Sequence, residues 1–228
     1  MLTAIAIVPS APVMVPRLAG AAAVELTGLR DAVLTAAAAL PARWVAVGAG
    51  MHDAVIDESR TGTFAGYGVD ERVTLSPGDG TPPDDLPLCA LIAGWIRGQA
   101  QPAATAQVRV YPAGLDAGEA IERGRRLRAE LDARDDPVGL LVVADGANTL
   151  TPPAPGGYDP DSVPLQEALD DALACGDVAA LGELPDAVVG RVAYQVLAGL
   201  AGPGPRSAEE FYRGAPYGVG YFAGLWTP

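Results

Sequence analysis

Short apolar runs alternate along this chain with longer stretches whose apolar residues recur at helical spacing. Thr3 to Val8 is apolar and stops at Pro9, which predicts a buried strand. Leu18 to Leu40 carries Val24, Leu26, Leu29, Val33 and Leu34 as an imperfect stripe ended by Pro41, which predicts a helix. Trp44 to Val47 predicts a second buried strand running into the loop 48–53. Residues 54–84 show no period; Gly62, Gly66, Gly68, Gly78 and Gly80 punctuate them, and Phe64 and Tyr67 are their candidate anchors. A helix from about Leu86 to Arg97, capped by Asp84 or Asp85, and a third strand, Gln107 to Tyr111, follow. Asp116 and Glu119 form a capping-box-like pair at the start of a helix reaching about Arg134. Val138 to Val143 predicts a fourth strand. Three helices come next: Asp161 or Ser162 to Ala174, Asp177 to Leu184, and Asp186 to Leu200. Beyond the Gly/Pro linker at 201–207, the chain ends in strand material in which Tyr217, Val219 and Tyr221 alternate with glycines.

Strands alternating with helices predict an α/β fold. The expected architecture is a three-layer sandwich, a mostly parallel or mixed central sheet flanked by helices, with the last strand antiparallel and residues 1–228 forming a single domain. Half of the residues are hydrophobic, enough for a substantial core. The net charge of −13 with no lysine argues against nucleic acid and anionic membranes as partners, and excludes lysine Schiff-base chemistry and a P-loop lysine. Cys89 and Cys175 have no CxxC partner and read as buried free thiols. No apolar run reaches the ~18 residues of a membrane span. The first residues lack the basic start of a signal peptide, so a cytoplasmic protein is expected.

The turn-rich loop 144–158 leaves the end of a buried strand, where α/β proteins place their sites. Asp145 and Asn148 are its polar side chains with reach; as turn residues they would instead bond their own backbone. Gly48 to Asp53 resembles the start of a nucleotide loop, but the third glycine is missing and no clean helix follows. His52 is the only histidine, which excludes a two-histidine metal site within one chain. It could still ligate a metal with distant carboxylates, or pair with Ser10 as base and nucleophile, although no GxSxG elbow is present. The arginines at 123, 125, 126 and 128 describe a solvated helix face.

Four stretches taken together resemble the catalytic (B) subunit of class III extradiol ring-cleaving dioxygenases, a superfamily that also holds Memo-like proteins. VPSAPVMVP at 8–16 resembles a first loop of the form Pro-His-Pro-Pro, and VAVGAGMHD at 45–53 the second strand and loop. ADGANTLTPPAPGGYDPDSVPLQEAL from 144, continuing to CGDVAAL at 175–181, resembles a block of the form Gly-Asp-Leu-Ser-His-Arg-Leu-Thr followed by Ala-Pro-Gly-Tyr. APYGVGYFAGLW at 215–226 resembles the closing strand.

The resemblance implies a non-haem Fe(II) held by two histidines and a carboxylate, a further histidine as acid/base, and dimerisation. Neutral imidazoles plus one anion keep such a metal divalent and open. Here Ser10 stands at the first ligand position and Asn148 at the acid/base position. His52 or Gly50 falls at the second ligand position, and Glu209 or Glu210 at the carboxylate. Serine is a poor Fe(II) ligand, and asparagine cannot relay a proton. One expectation is therefore a non-catalytic relative without cofactor, binding a small molecule or a protein partner in a cleft built from Ser10, His52, Asp145, Asn148 and the 209–221 segment, with Tyr217 and Tyr221 as candidate lining. The other is an oxidoreductase with Fe(II) or another divalent metal in a site rebuilt around His52, Asp53, Asp145 and a C-terminal glutamate.

Overall fold

A computed structural model describes residues 1–78 and 81–228; Gly80, one of the glycines punctuating 54–84, lies outside the described residues. The strands are β1 (Leu2–Val8), β2 (Arg43–Gly50), β3 (Ala54–Ile56), β4 (Thr61–Thr63), β5 (Arg72–Thr74), β6 (Thr105–Pro112), β7 (Val138–Val143), β8 (Ser207–Gly214) and β9 (Tyr221–Thr227). The helices are α1 (Pro16–Ala19), α2 (Thr27–Ala38), α3 (Leu88–Ala100), α4 (Ala117–Asp132), α5 (Ser162–Cys175), α6 (Val178–Gly182) and α7 (Arg191–Ala201).

Seven strands form one mixed sheet in the order β3-β6-β2-β7-β1-β9-β8, and β4 pairs with β5 in a small ribbon. The four central strands β6, β2, β7 and β1 are parallel, while β3, β9 and β8 run antiparallel to their neighbours. The two-residue period divides the apolar runs between two cores. Ile5, Ile7, Val45, Val47, Leu140, Val142 and Trp226 meet α4, α5 and α7 on one face. Ala6, Val8, Ala46, Ala106, Leu141 and Val143 meet α2 and α3 on the other. All six β7 residues are buried, as expected of a central parallel strand. The chain is thus an α/β protein with helices on both faces of a mixed sheet.

Small residues set how closely the layers approach. A Cβ on Gly48 would lie 2.3 Å from the Cβ of Cys89, so α3 packs directly on β2. A Cβ on Gly124 would lie 2.1 Å from the Val196 carbonyl oxygen, and one on Gly199 would lie 1.9 Å from that of Ile121. Thus α4 and α7 cross nearly backbone to backbone. Arg97, 5% exposed, caps four oxygens: the Thr74 carbonyl and hydroxyl and the Pro102 and Ala104 carbonyls.

Several expectations need correction. The helix expected over Leu18–Leu40 begins only at Thr27; Gly20 takes φ +55° and residues 20–23 form a 3-10 turn before α2. The stretch 54–84 contains β3, β4, β5 and a 3-10 turn at Phe64–Tyr67; Phe64 is its buried anchor, and Tyr67 sits edge-on to it, largely exposed. Asp84 pairs with Arg60 and caps no helix; Pro87 precedes α3. Asp161 makes no capping bond to α5. Gly190 is the residue before α7, and Asp186 instead pairs with Arg191. At the C-terminus β8 and β9 form a hairpin, and Tyr217 lies in its turn because Gly218 at φ +73° reverses the chain. Cys89 is buried, but Cys175 is exposed. Asp116 does cap α4, accepting from the Gly118 and Glu119 amides, and Arg123, Arg126 and Arg128 form ion pairs along its solvated face. Among the described residues no helix is long and apolar enough to cross a membrane.

Candidate functional site

The parallel strands deliver their following loops to one end of the sheet. Residues after Val8, Gly50, Pro112 and Val143 all emerge there, and the antiparallel register brings Tyr221 to the same end. Ser10, His52, Asp145, Asn148, Tyr217 and Tyr221 therefore share that end, as the sequence predicts, but they divide between two places.

The first is built by loop 144–158. The Ser10 amide donates to Asp145 Oδ1 at 2.8 Å. The Asp145 carbonyl accepts from the Gly190 amide. Asp145 therefore ties its loop to the loop after β1, and does not fold back on its own turn. Its side chain is only partly exposed, and burial among the surrounding loops pushes its carboxyl up to about 7 against the Ser10 hydrogen bond. Tyr194 is fully buried below it and donates to the Ala144 carbonyl at 3.0 Å; burial and the nearby Asp145 hold its phenol well above the usual value. Tyr221 is buried on the α2–α3 face, its phenol raised by burial and by Asp145. Tyr217 reaches out of the hairpin turn and donates to Glu25 at 3.2 Å. Asn148 lies against Gly156, where a Cβ would come 2.4 Å from its Oδ1.

Backbone pairing fixes this loop. Gly146 donates to Gly220, Gly220 to Ala147, and Leu150 to Gly218, so the 215–220 turn is zipped onto it. Gln166 stands beneath: its Oε1 accepts from the Ala147 amide at 2.8 Å, and its Nε2 donates to Asp170 Oδ1 at 2.8 Å. Cβ atoms on Gly146 or Gly220 would fall about 2 Å from Gln166, so glycine at both positions makes room for its amide. Sequence reading missed Gln166 and Tyr194, since polar residues within amphipathic helices give no sign that they point inward.

The second place is a cleft of about 570 Å³ above β2 and β6. His52, Thr63, Tyr67 and Asp85 supply its polar groups, and Leu86, Leu91 and Val110 are among its apolar walls. Ser10 and Asp145 do not line it. His52 is exposed. Asp53, next along, turns away into an ion pair with Arg123 of α4. The strand β2 runs through Gly50 and leads to β3, so no nucleotide-type strand–turn–helix forms here.

The donor set does not fit a facial iron triad. Ser10 and His52 follow β1 and β2, which β7 separates; Ser10 does not line the His52 cleft, and the two share no hydrogen bond among the described residues, so they form no nucleophile–base pair. Glu209 and Glu210 lie on the edge strand β8, four spacings or roughly 19 Å from β2. Glu209 is exposed, and Glu210 is engaged by Arg213. The candidate ligands His52, Glu209 and Glu210 are therefore not brought together. Among the described residues no group of three or more His, Cys, Asp or Glu is placed to hold a metal ion.

No family model matches the chain, and no curated protein matches its sequence. Among solved structures it is similar to the crystal structure of uncharacterized protein JW3007 from Escherichia coli K12. The TM-score is 0.59 at 12% identity, over 98% of this chain and 99% of that one. At that identity the likeness is one of fold, extending over nearly the whole of both chains.

Proposed function

We propose that this chain is a class III extradiol dioxygenase B-subunit-like protein that lacks the two-histidine iron site and acts by binding a small molecule at the loop end of its sheet. The observation that carries the reading is the separation of two things the family resemblance joins. A concave, largely apolar cleft lies above β2 and β6. The residues at the family's ligand positions lie apart, on loops and strands that do not converge. Mostly apolar walls with a few polar groups are the usual make-up of a small-molecule site. In this cleft Leu86, Leu91 and Val110 would cover an apolar or aromatic body, and His52, Thr63 and Asp85 would meet its polar substituents.

The competing reading, a metal-dependent oxidoreductase rebuilt around His52, has one observation in its favour: Asp85 lines the same cleft as His52. That is two donors, and the Asp53 carboxylate is committed to Arg123.

Ligand-observed NMR with catechol and phenol as probes tests the proposal. The expected result is saturable binding, removed by Leu88→Trp, at a partly buried position on the cleft wall, and weakened by His52→Ala, with no oxygen uptake in the presence of catechol and Fe(II). Binding indifferent to Leu88→Trp, or oxygen consumption dependent on His52, would overturn it.

A further inference from the structure

A smaller cavity of about 260 Å³ opens on the opposite side of Gln166, between the start of α5, loop 150–151 and the end of β8. Leu150, Val163 and Ala215 contribute apolar wall, and Gln166, Glu167 and Asp170 the polar groups that matter here. It shares no residue with the His52 cleft.

Its chemistry is set by one buried carboxylate. Asp170 is 7% exposed. Its Oδ1 accepts from Gln166 Nε2, and that orientation is fixed, because Gln166 Oε1 is already committed to the Ala147 amide. Asp170 Oδ2 has no protein hydrogen-bond partner among the described residues and is reached by solvent, so it opens on the cavity that Asp170 lines. A ligand cation there would replace water as its donor. Arg213 also lines the cavity, but its guanidinium is engaged by Asp171 and Glu210. The charged lining is therefore two carboxylates, Glu167 and Asp170, and one guanidinium already held by two carboxylates outside the cavity. Burial pushes the Asp170 carboxyl up to about 6, opposed by Gln166 and Arg213, so it is charged at neutral pH and gains from a cationic donor.

We propose that this cavity is a binding site for a primary ammonium or amidinium group on a short apolar stem, the cation meeting Asp170 Oδ2 and the stem lying against Leu150, Val163 and Ala215. With Arg213 already engaged, the free charge of the lining is that of Glu167 and Asp170, which favours a cation over an anion, and the apolar wall favours a stem over a hydrated inorganic ion. This inference stands independently of the function proposed for the His52 cleft.

Ligand-observed NMR with n-butylammonium at constant ionic strength tests it, with n-butanol as the neutral comparison. The expected result is saturable butylammonium binding, much weaker butanol binding, and a loss of affinity of about tenfold or more in Asp170→Asn, the scale of one hydrogen bond between charged groups. Val163→Trp, a change at a partly exposed site on the cavity wall, is expected to block binding while leaving the Gln166–Asp170 pair intact; it decides the matter if Asp170→Asn does not fold. Equal binding of butanol and butylammonium, no binding of either, or butylammonium binding unchanged in Val163→Trp would overturn the proposal. Leu88→Trp, in the other cleft, is expected to leave butylammonium binding unaltered, so the two sites fail separately.

Discussion

The Ser10 amide donates to Asp145 Oδ1 at 2.8 Å, so a carboxylate that burial disfavours holds together the loops after β1 and β7. The two effects oppose each other, and burial is the larger. In the folded protein Asp145 therefore keeps its proton to about pH 7, whereas in the unfolded chain it releases it near the ordinary carboxylate value.

The sign of the pH dependence follows. A raised folded pKa contributes stability that is fully present below about pH 4 and is lost as pH rises to about 7. Asp170, raised to about 6, adds a smaller slope of the same sign. Asp145→Asn keeps an oxygen for the Ser10 amide and removes the ionisation. Urea unfolding between pH 4.5 and 8 should show the parent losing stability with rising pH and Asp145→Asn losing much less. At pH 8 the variant should be the more stable by on the order of 1–2 kcal/mol, below the full linkage value because the carboxyl is partly open to water. Parallel profiles would contradict the assignment.

Gln166 is the sole side-chain acceptor for the buried Ala147 amide among the described residues. Gln166→Leu has a similar volume but strands that donor and frees Asp170 Oδ1. We expect a loss of about 1–3 kcal/mol, the usual cost of a buried unpaired polar group, read from the denaturation midpoint. Unchanged stability would mean that the loop draws nothing from this bond.

At the crossing of α4 and α7, Gly199→Ala must displace the Ile121 carbonyl, and Gly124→Ala that of Val196. Each should destabilise by about 1–3 kcal/mol, as overpacking does. Gly66→Ala, at an exposed position whose Cβ would meet nothing within 4 Å, is the control and should change stability by no more than ~0.5 kcal/mol. Thermal unfolding of the three variants checks the ranking.

His52 is exposed and makes no hydrogen bond among the described residues, so its removal should leave folding almost untouched. His52→Ala is expected to unfold within ~0.5 kcal/mol of the parent while losing affinity for catechol. A large loss of stability would mean that the residue serves the fold and not the cleft.

The central strands were legible because a run such as Val138–Val143 carries its burial on its face, and the layered α/β architecture followed from their alternation with helices. The Asp116 cap and the arginine face of α4 were legible for the same local reason. What the sequence hid was mostly set by distant partners. Gln166 faces inward because Gly146 and Gly220 make room for it, and those glycines are far from it along the chain. Tyr217 continues an apparent strand alternation, yet Gly218 turns the chain there. Ser10, His52, Asp145 and Asn148 lie at one end of the sheet because each follows a parallel strand, and Tyr221 because it starts the antiparallel β9, whereas Glu209 and Glu210 lie within β8. The division of the candidate residues between places depends on strand order, which puts β7 between β1 and β2 and leaves β8 at the far edge. No local pattern encodes that order.

The most direct test of the central claim is metal content after anaerobic loading of the purified protein with Fe(II), with His52→Ala measured alongside. A cleft that binds without iron predicts only substoichiometric iron after desalting, equal in both proteins. A stoichiometric iron in the parent that is lost in His52→Ala would contradict the account, and would mean that His52 and carboxylates assemble a working metal site.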